Sequence, residues 1–219
     1  MVRKALLVCG ILAALIYVGS DIIAAMRWDG YSYADQSVSE LRAIGAPTRA
    51  FLMPILFLYA LLEIAFGAGV WMSANGRRNL RIAAVLLVAL GVLDLAGPLF
   101  PMHLREEISQ TGRTLNETMH VTVTGLTVLL ILLIIATGAA ADGRGFRIYS
   151  YATIVVLLAA GAWAAMGASQ LEANLPTPWM GVKERINIYG YMLWLAALAL
   201  VLWREPPRPL TRTLISGNE

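Results

Sequence analysis

Two histidines and three carboxylates mark where chemistry or binding would have to occur in this chain. His103 and His120 are its only histidines, and each falls where an apolar run meets polar sequence. Asp94 lies about two to three helical turns before His103. An aspartate and two neutral imidazoles would suit a zinc ion with one open coordination position, so Asp94, His103 and His120 form a candidate metal set. No HxxxH or HExxH spacing accompanies them, and no other cofactor is expected. Asp21, Glu63 and Asp94 all lie inside apolar runs. A charge at the bilayer centre costs about 2.5–3.5 kcal/mol on insertion scales, so such groups face a bundle interior, find partners and mark function. Glu63, near the middle of its run, reads either as a protonated acid bonded to a neighbouring helix or as a proton relay.

Their expected partners are also polar residues near the ends of apolar runs. Thr124 and Thr127 follow His120 at helical spacing and extend a polar stripe into the membrane. Arg185, with Asn187 close by, is expected to neutralise Asp21 or Asp94; Glu184 beside it could simply pair with it at the surface. Ser37-Val38-Ser39-Glu40 is a capping-box pattern, with Glu40 at the third helical position. The pocket candidates are therefore Asp21, Glu40, Glu63, Asp94, His120, Glu184, Arg185 and Asn187. Asp21, Asp94, His120 and Arg185 are expected to line one outward-opening pocket, with Glu63 deeper and His103 at its rim. No Ser-His-Asp order, Walker loop, dinucleotide-binding glycines or paired haem histidines occur. Asn116-Glu117-Thr118 fits a glycosylation sequon, a pattern common by chance.

The elements that must position these groups are membrane helices. Hydrophobic residues make up 58% of the chain and charged ones 14%, against about a quarter charged in soluble domains. The formal charge of +3 comes from arginines grouped at the ends of apolar runs. That distribution fits membrane topology and speaks against a nucleic-acid partner. Six runs near twenty residues span about 5–26, 51–73, 82–100, 119–140, 148–168 and 178–203. They are continuously apolar and do not alternate, so helices and not barrel strands are expected. The first run is too long for a signal core, and no A-x-A site ends it. Cys9 is the single cysteine and sits within that run, so no intrachain disulfide can form.

The expected fold is all-α: a polytopic six-helix bundle over residues 1–204, then a disordered cytoplasmic tail over 205–219. Ten basic residues fall on the side of the termini and seven on the other. The connections at 75–81 and 142–147 are short and basic, which places both termini in the cytoplasm. A short interfacial helix is expected at residues 38–44, started by the capping box and stopped by Gly45 and Pro47. Thr177-Pro178 reads as a helix start with proline in the first turn. Gly67-Ala68-Gly69 and Gly161 with Ala165 read as close helix packing.

Ser39-Glu40-Leu41 with Gly45-Ala46-Pro47, Phe100-Pro101, His120, and Gly181 with Glu184-Arg185 resemble motifs of the prokaryotic membrane family called domain of unknown function 998. The resemblance implies a six-helix multi-pass protein of the cell membrane and carries no established activity. The arrangement is more loosely similar to the alkaline ceramidase and progestin-receptor superfamily of membrane hydrolases. That group sets a serine, an aspartate and three histidines around zinc, one histidine more than this chain holds. Three readings follow. One is a binding protein for a small molecule, lipid or ion, in contact with the bilayer and lidded by the first outer loop. The second is a metal-dependent hydrolase of a lipid or amide. The third is a transport or partner subunit using Glu63. The oligomeric state is left open.

Overall fold

The computed structural model describes residues 1–205. The expected disordered tail therefore lies, apart from Glu205, outside the described residues. The chain is all-α. Its helices are α1 (Val2–Arg27), α2 (Arg49–Ser73), α3 (Arg78–Ala96), α4 (Arg105–Thr111), α5 (Leu115–Gly138), α6 (Arg144–Ala165), α7 (Ala168–Glu172) and α8 (Met180–Arg204). Short 3-10 turns occupy Val38–Arg42, Gly97–Leu99 and Ala139–Ala141. Six helices, namely α1, α2, α3, α5, α6 and α8, are long and apolar enough to cross a membrane. A backbone in hydrocarbon must satisfy its own N–H and C=O groups, and a helix does so within one segment.

The six spans form a ring in the order α1, α2, α3, α5, α6, α8, with α8 returning to α1. Small residues allow the close crossings. A Cβ on Gly69 would stand 3.0 Å from the Leu6 backbone, and one on Gly91 would stand 3.0 Å from the Ala60 carbonyl oxygen. The main core lies in the half of the ring nearer the termini, around Leu7, Phe66, Leu87, Ile134, Trp194 and Leu198. Trp194 donates its indole N–H to Ser150 at 2.9 Å, so even this buried ring leaves no polar atom idle.

Both described chain ends lie on one face, fastened by two arginines. Arg3 donates to the Leu202 and Glu205 carbonyls at 3.0 Å each. Arg77 grips the Glu205 carboxylate at 2.8 and 2.5 Å and donates to the Ala141 carbonyl at 2.9 Å. On the opposite face, residues 28–48, 97–114 and 166–179 form a structured lid. Its small core joins Ala43, Ala46, Met102 and Ile108 with Trp28, Leu104 and Leu171.

Several boundaries depart from the sequence expectations. The run ending at 100 is helical only to Ala96, because Gly97-Pro98 tightens into a 3-10 turn. α5 starts at Leu115, four residues early, because Thr114 and Glu117 close a capping box. Pro178 does not open α8. Trp179 takes a left-handed backbone, φ 64°, and the helix begins at Met180. The reason is tertiary: Trp179 donates its N–H to Asp35 at 2.9 Å, and the Thr177 hydroxyl donates to the Asp35 carbonyl at 2.7 Å. The helices α4 and α7 carry no apolar run of their own and were not expected.

Candidate functional site

The first lid segment holds the capping box expected from the sequence. Glu40 accepts from the Ser37 N–H at 2.7 Å and the Ser37 hydroxyl at 2.9 Å, and starts the 3-10 turn at Val38–Arg42. The expected stretch at 38–44 is thus a tighter and shorter helix, ended before Gly45, whose φ is 88°. The same Glu40 carboxylate takes two bonds from Arg105 of α4, at 2.6 and 2.7 Å. Arg105 also reaches the Thr177 hydroxyl at 3.1 Å. Burial works against the Arg105 charge, but the bonds and charge of Glu40 overcome it and hold its pKa above the ordinary value. One ion pair thus joins all three loops of this face. The Ile44 N–H adds a bond to the Met102 carbonyl at 2.8 Å.

The sequence motif at the start of α8 has a physical explanation. Gly181 lets the lid backbone approach: a Cβ there would stand 2.4 Å from the carbonyl oxygens of both Tyr33 and Gln36. Glu184 accepts the Val38 N–H at 2.7 Å, so it holds the start of the 3-10 turn and does not pair with Arg185. Arg185 forks onto Asp21 at 2.8 and 3.1 Å and donates to the Tyr33 carbonyl at 2.6 Å. Tyr189 donates to Asp21 at 2.5 Å, and Arg185 stacks 3.5 Å over the Tyr33 ring. The expected neutralisation of Asp21 by Arg185 is therefore present, but the two groups satisfy each other. Neither is among the residues that line the large cavity.

That cavity, about 540 Å³, lies beneath the lid, inside the ring. Asp94, His120, Glu184 and Asn187 line it, with Thr124 and Thr127 below His120. Tyr17, Tyr59 and Tyr191 reach it on the side of the main core, and Arg42 and Arg49 reach it under the lid. Most of the remaining wall is apolar, from Met53, Leu56, Val128 and Ile131 among others. α5 and α6 bound the cavity on one side, and they pack far less closely on each other than any other neighbours in the ring. Asn187 binds the backbone of α6 beside Gly161. Its amide nitrogen donates to the Leu157 carbonyl at 2.9 Å, and its oxygen accepts from the Gly161 N–H at 2.7 Å. Gly161 thus meets a polar side chain of α8 through its backbone N–H.

Of the remaining candidates, Glu63 and Asp94 are neighbours, while the two histidines have separate partners. Glu63 is fully buried and accepts from the Tyr191 hydroxyl at 2.7 Å; its other carboxylate oxygen has no partner among the described residues. Asp94 and Tyr59, both cavity residues, are its neighbours. His120 Nδ1 lies 3.3 Å from the Phe100 carbonyl. His103 Nδ1 lies 2.6 Å from Glu117, which also closes the α5 capping box with Thr114. Among the described residues, no group of three or more His, Cys, Asp or Glu side chains is placed to hold a metal ion.

The sequence reading missed Arg105, Glu117 and the tyrosines. Thr114-x-x-Glu117 was a readable capping box. Arg105 gave no signal, because its partner lies 65 residues away.

The fold is a bundle of six helices of membrane-spanning length and hydropathy, with a large pocket beneath its loop face. The chain belongs to the family described as Protein of unknown function (DUF998), which matches residues 11–201. No curated protein and no solved structure matches it.

Proposed function

We propose that this protein binds an amphiphilic small molecule or lipid in the cavity under its lid. The observation that carries the reading is the cavity itself. Its 540 Å³ falls within the roughly 300–1,000 Å³ of ligand sites, which pair apolar walls with a few placed polar groups. The lid is cross-tied by Glu40–Arg105, by Glu184 on Val38 and by the Thr177–Asp35 contact. Access is therefore lateral, through the loosely packed seam between α5 and α6, which suits a ligand dissolved in the membrane. Both termini are placed in the cytoplasm on the short basic turns, so the lid faces outward. A cysteine at Ser109 should then label from outside, and one at Gly76 only after permeabilisation.

The test is saturable binding of monoolein, an uncharged single-chain amphiphile, to purified protein by native mass spectrometry. Gly125 lines the cavity and has open space around it. Gly125→Trp should lower monoolein occupancy at least tenfold, and Ile22→Trp, on the exposed side of α1, should not. Absence of saturable binding, or equal loss in both variants, overturns the proposal. A second reading, a proton-coupled transporter, draws on the orphan oxygen of Glu63 behind the cavity wall. A proton-flux assay in liposomes, comparing Glu63→Gln with the native chain, tests it. A stoichiometric bound metal in the purified protein would favour the hydrolase reading instead.

A further inference from the structure

We infer that the cavity is built for a membrane lipid with an anionic head group, phosphate or carboxylate, bound by Arg42 together with Arg49. This rests on the reading of the cavity as a binding site and names its ligand class.

The arginines of the lid face have visible occupations, with one exception. Arg105 is spent on Glu40, Arg185 on Asp21, and Arg113 lies 3.5 Å from Glu172. Arg27 lies 4.3 Å over the Phe51 ring. The Arg42 guanidinium makes no hydrogen bond, ion pair or ring contact among the described residues. Yet it is half-buried, and it lines the cavity. Asp94, His120 and Glu184 line the same cavity.

Arg49 lines the same cavity, and its guanidinium donates to the Arg42 carbonyl at 2.5 Å, which keeps the two residues together. Arg49 is also the first residue of α2, a 25-residue helix with no side-chain cap. The Thr48 hydroxyl that could cap it donates instead to the Leu41 carbonyl at 2.6 Å. Two guanidinium groups and the positive end of a helix dipole therefore meet at one end of an apolar cavity.

A half-buried guanidinium with no protein partner leaves its N–H donors open to an anion that enters the cavity. The acids that share the cavity do not take them. Glu184 is engaged by the Val38 N–H, Glu117 by Thr114 and His103, and Glu172 by Arg113, and among the described residues neither these nor Asp94 forms an ion pair with Arg42. A phosphate or carboxylate would match the planar fork of an arginine with two parallel bonds. Met53 and Leu56, one and two turns further along α2, with Val128 and Ile131 on α5, offer the apolar wall for the chain below the head group.

The experiment compares oleate, monoolein and inorganic phosphate on the full-length protein. Oleate should bind at least tenfold more tightly than monoolein. Arg42→Gln should bring oleate affinity down to that of monoolein, and Arg42→Lys should keep part of the preference. Inorganic phosphate should compete only weakly. Equal oleate and monoolein affinities in the native protein overturn the anionic head group but leave the cavity reading standing. Phosphate binding as tight as oleate overturns the lipid assignment, since the site would then serve a free anion. Loss of all binding with Gly125→Trp, alongside an intact head-group preference in the native chain, supports both. No binding of any amphiphile defeats the cavity reading itself. The native comparison of the two amphiphiles decides the question even if the arginine variants fail to fold.

Discussion

Removing Arg105 should unfasten the lid while leaving the bundle standing. Glu40 is 1% exposed and takes two of its bonds from this one guanidinium, at 2.6 and 2.7 Å. Breaking a buried pair by deleting one partner costs about 3–5 kcal/mol, because it strands a desolvated charge. Here the carboxylate keeps its two Ser37 bonds, so the lower end, about 3 kcal/mol, is expected. The loss should fall on lid opening, since α4 and the 3-10 turn touch the main core little. At about 1.4 kcal/mol per tenfold, the open population should rise about a hundredfold. Ala46 is 7% exposed within the lid core. Maleimide labelling of Ala46→Cys in a Cys9→Ser background therefore reads that population. Arg105→Ala should speed labelling about a hundredfold. Glu40→Gln should do so less, since it leaves no stranded anion. The double variant should be no worse than Arg105→Ala alone. A change below about threefold, or single effects that simply add, would refute the idea that this pair holds the lid.

Three other outcomes follow from the same contacts. Gly181→Ala should destabilise by about 1–3 kcal/mol or more, because both atoms its Cβ would meet are backbone oxygens that cannot swing aside; thermal unfolding in detergent measures it. Arg185→Ala should be among the most damaging single changes, costing about 3–5 kcal/mol by stranding Asp21, and Asp21→Asn should be milder in the same assay. Glu63→Met alone strands the buried Tyr191 hydroxyl that donates to it, so the double change Glu63→Met with Tyr191→Phe, which removes both partners, should leave stability equal or higher by about 1–4 kcal/mol. A stable double variant that fails in ligand binding or proton flux would mark the pair as kept for function.

The spans were legible because a bilayer leaves few options: a continuous apolar run of about twenty residues must be a helix. The capping box at Ser37 and Glu40 was legible because it is local chemistry. Partners across the chain were harder to see. Arg185 on Asp21 was anticipated because a lone intramembrane acid needs a cation. Arg105 on Glu40 was not, because both sit in loops where charge costs little in sequence terms. The expected four-residue pocket came apart for a physical reason. Asp21 and Arg185 are close enough to satisfy each other completely, which leaves Asp94 and His120 to face the cavity without them. The Pro178 helix start failed because Asp35 draws both Trp179 and Thr177 toward the lid.

Photolabelling from within the membrane tests the central claim most directly. Native protein in bilayer nanodiscs would be exposed to a photoactivatable fatty acid, cross-linked, digested and mapped. The account predicts saturable labelling of inward residues on both sides of the seam, such as Thr124 and Thr127 on α5 and Ala164 on α6, competed by excess oleate. Labelling spread evenly over the exposed perimeter, at Ile22, Leu58 and Val155, with none competed and none inside the ring, would contradict it.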